Sequence, residues 1–283
     1  MTKRLRVAVV GAGTMGNGIA HVFAQHGNDV LMIDVADAPL ERGLATIGKN
    51  LDRQVKQGAI SASDREATLA RIETSTDRSA ASGVDLAVEA VPENATLKIE
   101  ILAQLGAAAP DAIVASNTSS ISITELARHV ERPERVIGMH FMNPVPVMEL
   151  VEVIRGLQTS DETTARVLDV ARSLGKTPVE VNDYAGFVSN RVLMPMINEA
   201  VYCVMEGVAA PEAVDSVMKL GMNHPLGPLA LADLIGLDTC VSILEVLQRE
   251  IGDDKYRPCP LLRKYVAAGW LGRKSGRGFY EYD

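Results

Sequence analysis

Among the residues suited to chemistry in this chain, one histidine stands out, His140, at the end of the apolar run 136–141. Two carboxylates, Glu149 and Glu152, follow shortly after it. Histidine titrates near neutrality, so it can take the proton of an alcohol as the carbon is oxidised and return it in the reverse direction. A carboxylate on its second ring nitrogen would fix one tautomer and stabilise the imidazolium. Glu152 alternates with Met148, Leu150 and Ile154 on one face of a strand read over 148–154, and a carboxylate on an apolar face needs a partner. A simple hairpin between the two strands instead sets Glu149 opposite His140. The spacing leaves both pairings open.

A second constellation lies at the start. Gly11-Ala-Gly13-Thr14-Met15-Gly16 follows a Val-rich strand and opens a helix. The first glycine allows a tight turn, the second lets backbone approach a pyrophosphate, and the third lets helix and strand pack closely. Unpaired N–H groups at the helix start then face the phosphates. Asp34 follows about twenty residues on, at the end of the next strand, where a carboxylate accepts from ribose hydroxyls and repels a 2′-phosphate. No arginine lies in the seven residues after Asp34. The pattern predicts NAD rather than NADP.

These residues need a scaffold that brings strand ends together. Apolar runs at 7–10, 29–34, 84–91, 113–116, 136–141, 148–154 and 179–181 alternate with helical stretches, the signature of a doubly wound α/β sheet covered on both faces. Polar residues gather where strands end on the cofactor side: Glu93-Asn94, Asn117-Thr-Ser119-Ser120, and His140 with Asn143-Pro144. Ser63 with Glu66, Ser122 with Glu125, and Thr159 with Glu162 have the spacing of helix-capping boxes. Beyond Gly186 only helical punctuation remains, predicting a Rossmann-type domain over 1–185 and an all-helical domain over 186–283.

The chain has 283 residues and a formal charge of −8 without a dense basic block, which disfavours nucleic acid or an anionic membrane as partner. Three cysteines cannot all pair and show no metal-binding spacing, so they read as reduced thiols in the cytoplasm. The basic start Lys3-Arg-Leu-Arg6 imitates a signal peptide, but glycines interrupt the apolar run behind it. No run reaches the length of a membrane span.

Several ordered motifs carry a resemblance: Ser116-Asn-Thr-Ser-Ser-Ile-Ser-Ile-Thr124, Gly138-Met-His-Phe-Met-Asn-Pro-Val-Pro-Val-Met148, Gly186-Phe-Val-Ser-Asn-Arg191, Asn223-His-Pro-Leu-Gly-Pro228, and the segment from Gly269 to Tyr280. Together they resemble the L-3-hydroxyacyl-CoA dehydrogenases, the short bacterial 3-hydroxybutyryl-CoA branch in particular. The resemblance implies a His140–Glu152 pair, Ser119 on the substrate oxygen and beside the nicotinamide, and Asn190 holding substrate. It implies NAD contacts from the glycine turn, Asp34, Glu93, Lys98, Asn143 and Lys274. For the coenzyme A arm it points to Lys49, Asn50 and Lys56 on the long helix after the second strand. The substrate implied is an acyl-CoA thioester, with hydroxybutyryl, hydroxyadipyl or longer acyl groups all compatible. Apolar residues Val192, Leu193, Met196, Ile197 and Val201 repeat at helical spacing and, with the resemblance, suggest a homodimer through the helical domain. Ala185 and Ser189 replace the family's usual proline and valine beside Asn190, and Met142 its usual phenylalanine. Two other readings fit a Rossmann domain with a helical partner: a 2-hydroxyacid or 3-hydroxyisobutyrate-type dehydrogenase, and an NAD-binding structural protein without turnover.

Overall fold

The computed structural model describes residues 4–282; Lys3 of the signal-like start lies outside them. The chain divides into two compact units, Met1–Asp183 and Tyr184–Asp283.

The first unit is built on one eight-stranded sheet. Its strands are β1 (Arg6–Val10), β2 (Asp29–Ile33), β3 (Ile72–Ser75), β4 (Leu86–Glu89), β5 (Ile113–Ser116), β6 (Val136–Phe141), β7 (Leu150–Arg155) and β8 (Thr177–Asn182). They lie in the order β3-β2-β1-β4-β5-β6-β7-β8. Neighbours are parallel throughout except β6 and β7, which are antiparallel. Every residue of β4 and β6 is buried, as expected of strands covered on both faces. The covering helices are α1 (Thr14–Gln25), α2 (Asp37–Lys56), α3 (Ala62–Leu69), α4 (Ala95–Ala108), α5 (Ile123–Ala127) and α6 (Asp161–Ser173). Ile19, Phe23, Ile47 and Leu51 of α1 and α2 pack with Val7, Val9 and Met32 in one core.

Three sequence expectations change here. The strand β3 was not anticipated, because Ile72-Glu-Thr-Ser75 has a single large apolar residue and pairs only with β2 at the sheet edge. The cap of α3 is Ser61 rather than Ser63: its Oγ accepts from the Asp64 N–H, and the Asp64 carboxylate accepts from the Ser61 N–H. Ser160, not Thr159, caps α6; the Thr159 hydroxyl instead donates to the Val136 carbonyl. The Ser122 cap of α5 stands as expected, accepting from Glu125 N–H.

The second unit is helical: α7 (Ser189–Met205), α8 (Pro211–Gly221), α9 (Pro228–Ile235), α10 (Leu237–Ile251) and α11 (Pro260–Ala267). Proline opens α8, α9 and α11, where its missing N–H costs nothing. Its core is formed by Ile197, Val201, Leu229, Leu244, Leu247 and Leu262. Two buried aspartates tie it together. Asp215 accepts from the Leu229 and Ala230 N–H groups at the start of α9, and Asp233 accepts from those of Phe279 and Tyr280 near the C-terminus.

Candidate active site

The glycine turn lies between β1 and α1, with β4 beside it. Gly11 has φ +103°, and a Cβ there would stand 2.6 Å from the Ala90 carbonyl oxygen. A Cβ on Gly16 would collide with the Gly11 carbonyl at 1.6 Å, whereas one on Gly13 would meet nothing within 4 Å. Gly13 therefore borders open space, and α1 begins there without a side-chain cap or an acidic residue in its first turn. Its N–H groups are left for an anion. Asp34 is fixed from both sides: Oδ2 accepts from Ala12 N–H and Oδ1 from Val35 N–H, each at 2.7 Å. A cavity of about 580 Å³ opens here, bordered by Gly13, Thr14, Met15, Asp34, Arg78 and Pro92. It sits at the ends of the adjacent strands β1 and β4, where the strand order reverses, the crevice in which open α/β sheets take their ligands. A dinucleotide fits these features: a cradle that only glycine leaves open, bare N–H groups for phosphate, and a fixed carboxylate for ribose.

Past Pro92 the polar strand ends converge. His140 and Glu152 are direct partners across the antiparallel β6–β7 ladder, so their side chains share a face. The His140 Nδ1 lies 2.8 Å from Glu152 Oε2, with Glu152 only 2% exposed. That contact puts the ring proton on Nδ1 and leaves Nε2 as an acceptor, assigned from the hydrogen-bond pattern. The Ser119 Oγ lies 3.1 Å from Nε2. The hairpin expectation that Glu149 would face His140 is thereby corrected. Residues 142–149 form a compact loop in which the Val147 and Met148 N–H groups both donate to the Pro144 carbonyl at 2.9 Å. This loop consumes Met148 and Glu149 and starts the ladder at Phe141 with Val151.

Ser119 is positioned by Glu93. One oxygen of Glu93 accepts from Thr118 Oγ1, Ser120 Oγ, and the backbone N–H groups of Ser119 and Ser120. Partial burial alone would raise this carboxyl, but the Lys98 charge and the Thr118, Ser120 and Ser119 hydrogen bonds outweigh it and hold it below the ordinary glutamate value. Lys98, expected at the cofactor, turns inward and is 1% exposed. Its Nζ lies 2.7 Å from Glu89 Oε1, 3.1 Å from the Val91 carbonyl and 3.4 Å from Glu93 Oε2. Ser116 Oγ donates to the other Glu89 oxygen at 2.6 Å. Removing Lys98 would strip the buried Glu89 carboxylate of its cation, at a cost of about 3–5 kcal/mol. Sequence reading missed Glu89 and Ser116. A glutamate closing the buried strand Leu86-Ala-Val-Glu89 was the available signal, since it demands a cation nearby.

Ser119, His140, Glu152 and Glu93 thus come together in the first unit. Asn143 sits exposed in the loop between β6 and β7. Lys49, Asn50 and Lys56 lie along α2, with Lys49 beside a groove bordered by Asp52, Arg65 and Leu69, and Asn50 Oδ1 3.5 Å from Arg53 Nη1. Asn190 and Lys274 belong to the second unit. Asn190 is buried at the start of α7, and the Lys274 Nζ lies 2.7 Å from Asp238 Oδ2. No group of His, Cys, Asp and Glu able to hold a metal occurs among the described residues.

Two family models match in succession: the NAD binding domain of 3-hydroxyacyl-CoA dehydrogenase over residues 6–184, and the C-terminal domain of the same enzyme over 186–282. The chain belongs to the 3-hydroxyacyl-CoA dehydrogenase family. Its first unit is the family's NAD-binding domain and its second the family's C-terminal domain. A probable 3-hydroxybutyryl-CoA dehydrogenase of Bacillus subtilis is 58% identical over 279 residues, covering 98% of this 3-hydroxyacyl-CoA dehydrogenase homologue and 97% of the relative. One from Deinococcus radiodurans, carrying the same description, is also 58% identical, covering 98% and 100%. The crystal structure of (S)-3-hydroxybutyryl-CoA dehydrogenase from Ralstonia eutropha superposes with a TM-score of 0.96 at 53% identity, covering 99% of this chain and 100% of that one.

Proposed function

We propose that this protein catalyses the reversible, NAD-dependent oxidation of an (S)-3-hydroxyacyl-CoA thioester, with 3-hydroxybutyryl-CoA as the preferred acyl class. The observation that carries the reading is the Glu152–His140–Ser119 chain, its first two members buried and its serine half-buried, beside the dinucleotide crevice. The names of the relatives above support the acyl class.

In this reading NAD, when bound, supplies the hydride acceptor. His140 Nε2 takes the proton of the 3-hydroxyl and returns it in the direction of reduction. Glu152 holds the Nδ1 proton and offsets the imidazolium charge that then forms. The Ser119 hydroxyl donates to the reacting oxygen, and Asn190 holds the thioester. Gly13, Thr14 and Met15 border the phosphates, and Asp34 takes the ribose hydroxyls. Glu93 keeps Ser119 in place, and Lys98 acts through Glu93 rather than by touching the cofactor. Asn143 and Lys274 are further cofactor contacts, and Lys49, Asn50 and Lys56 the coenzyme A contacts, of the same proposal.

The protein is proposed to work as a homodimer through its helical domain: of the expected stripe, Ile197 and Val201 turn into that domain's own core, whereas Val192 is 67% exposed, and Val217 and Leu220 add apolar side chains 63% and 87% exposed. Light scattering of the purified protein tests this. Its free cysteines suit the reducing cytoplasm.

The deciding experiment follows NADH oxidation with acetoacetyl-CoA. Wild-type protein should turn over, and His140→Gln should lose at least about a hundredfold in kcat while NADH affinity by fluorescence titration stays near wild type. NADH binding without turnover by the wild type would favour a non-catalytic role, and turnover of free hydroxyacids alone would favour another dehydrogenase class.

A further inference from the structure

The segment 142–149 joins the strand of His140 to that of Glu152, so its shape decides which residues of β6 and β7 meet. Two contacts hold it from opposite sides. On one side Val145, 2% exposed, packs against α1 at Gly18, where a Cβ would stand 2.9 Å from the Val145 Cβ. On the other side Lys176, between α6 and β8, sends its Nζ to the carbonyl oxygens of Val145 at 2.6 Å and Met148 at 2.8 Å. These carbonyls lie within the turn closed on Pro144. The next residue, Thr177, donates its N–H to the Glu149 carbonyl at 2.9 Å and pairs with Leu150, so the ammonium prolongs the β7–β8 ladder into the loop.

A lysine on a protein surface is normally solvated and mobile. Here the side chain is half-buried and spends two donors on main-chain oxygens, giving up rotamer freedom to do so. Burial lowers its pKa while the nearby Glu149 charge opposes that shift. An ammonium fixed in this way is a brace.

We propose that Lys176 is a positioning residue for the reaction: by holding the Val145 and Met148 carbonyls it fixes segment 142–149, and through it the His140–Glu152 register and the place of Asn143. The proposal rests on the reading that His140 and Glu152 carry the chemistry. Lys176 touches neither, so its effect passes entirely through the loop.

The test compares wild type, Lys176→Met and Lys176→Arg in NADH oxidation with acetoacetyl-CoA, with melting temperature measured alongside. Met keeps the aliphatic reach and removes the donors, whereas Arg keeps donors for two carbonyls. Lys176→Met should lose about tenfold to a hundredfold in kcat, the scale expected for a small misplacement of reacting groups. Lys176→Arg should recover most of that loss, and amide exchange at Val147 and Met148 should quicken in the Met variant only. Gly18→Ala pushes the same segment from the α1 side and should lower kcat in the same way; it carries the test if Lys176→Met does not fold. A folded Lys176→Met with wild-type kcat and KM overturns the proposal, whatever its melting temperature. Should the wild type itself fail to reduce acetoacetyl-CoA, the reading of the site falls instead, and the two failures are told apart in one assay.

Discussion

Glu152 and His140 sit directly opposite each other on the β6–β7 ladder, 2.8 Å apart through Oε2 and Nδ1, and this contact leaves Nε2 facing the Ser119 hydroxyl. A carboxylate in that place only accepts, so one tautomer is enforced. An amide would not enforce it. On the proposed mechanism Glu152→Gln should therefore lower kcat by about a hundredfold or more, with KM for NADH close to wild type. Steady-state kinetics at saturating NADH checks this.

The glycine turn separates folding from binding. A Cβ at Gly16 collides with the Gly11 carbonyl, so Gly16→Ala should lower the melting temperature by several degrees, in keeping with a strain of about 1–3 kcal/mol. Gly13→Ala meets no neighbour within 4 Å and should melt close to wild type, yet weaken NADH binding by about tenfold or more because the methyl group takes up the space at the phosphates. Calorimetry paired with NADH titration distinguishes the two.

Cofactor choice should depend on Asp34, whose carboxylate is already oriented by the Ala12 and Val35 N–H groups. Asp34→Ala removes both the ribose acceptor and the charge facing a 2′-phosphate. The preference for NADH over NADPH, as a ratio of kcat/KM values, should fall by about tenfold to a hundredfold. An unchanged ratio would remove Asp34 from the binding of the ribose.

How much of this could be read from residue order follows from how local each signal is. The glycine turn, Asp34 and the strand-end serine and histidine are marked by their immediate neighbours, and the structure sets the turn, Asp34 and the His140 cluster at strand ends. The pairing of His140 with Glu152 rather than Glu149 depended on a loop whose extent is decided by contacts to Gly18 and Lys176, both remote in sequence. The inward turn of Lys98 depended on Glu89, a residue hidden in an apolar strand. The edge strand β3 carried too little apolar character to announce itself. Caps shifted by a residue or two because neighbouring hydroxyls compete for the same N–H groups.

Acid stability should trace to His21, fully buried on α1, whose pKa is pushed down from 6.5 to about 4, chiefly by burial. Its folded-state pKa lies below the unfolded one, so the unfolded chain binds the extra proton between these values. The stability contributed by the neutral ring is present above pH 6.5 and drains away as pH falls toward 4, by about 3 kcal/mol in all. Urea midpoints measured at pH 7 and pH 5 should differ clearly in the wild type and less in His21→Gln.

The reversal of β7 against an otherwise parallel neighbour ties the acid partner of His140 to the phase of one short strand. Side chains on a strand alternate between the two faces of the sheet, so one residue inserted between Leu150 and Val151, with Leu150 held in place, would swing the carboxylate behind the sheet and present Val151 to the imidazole instead. A second inserted residue would bring the carboxylate back to the correct side, displaced by two residues along the strand to the place opposite Gly138. Odd and even changes in β7 length are for this reason unequal events, the odd ones disarming the ring while leaving the fold much as it was.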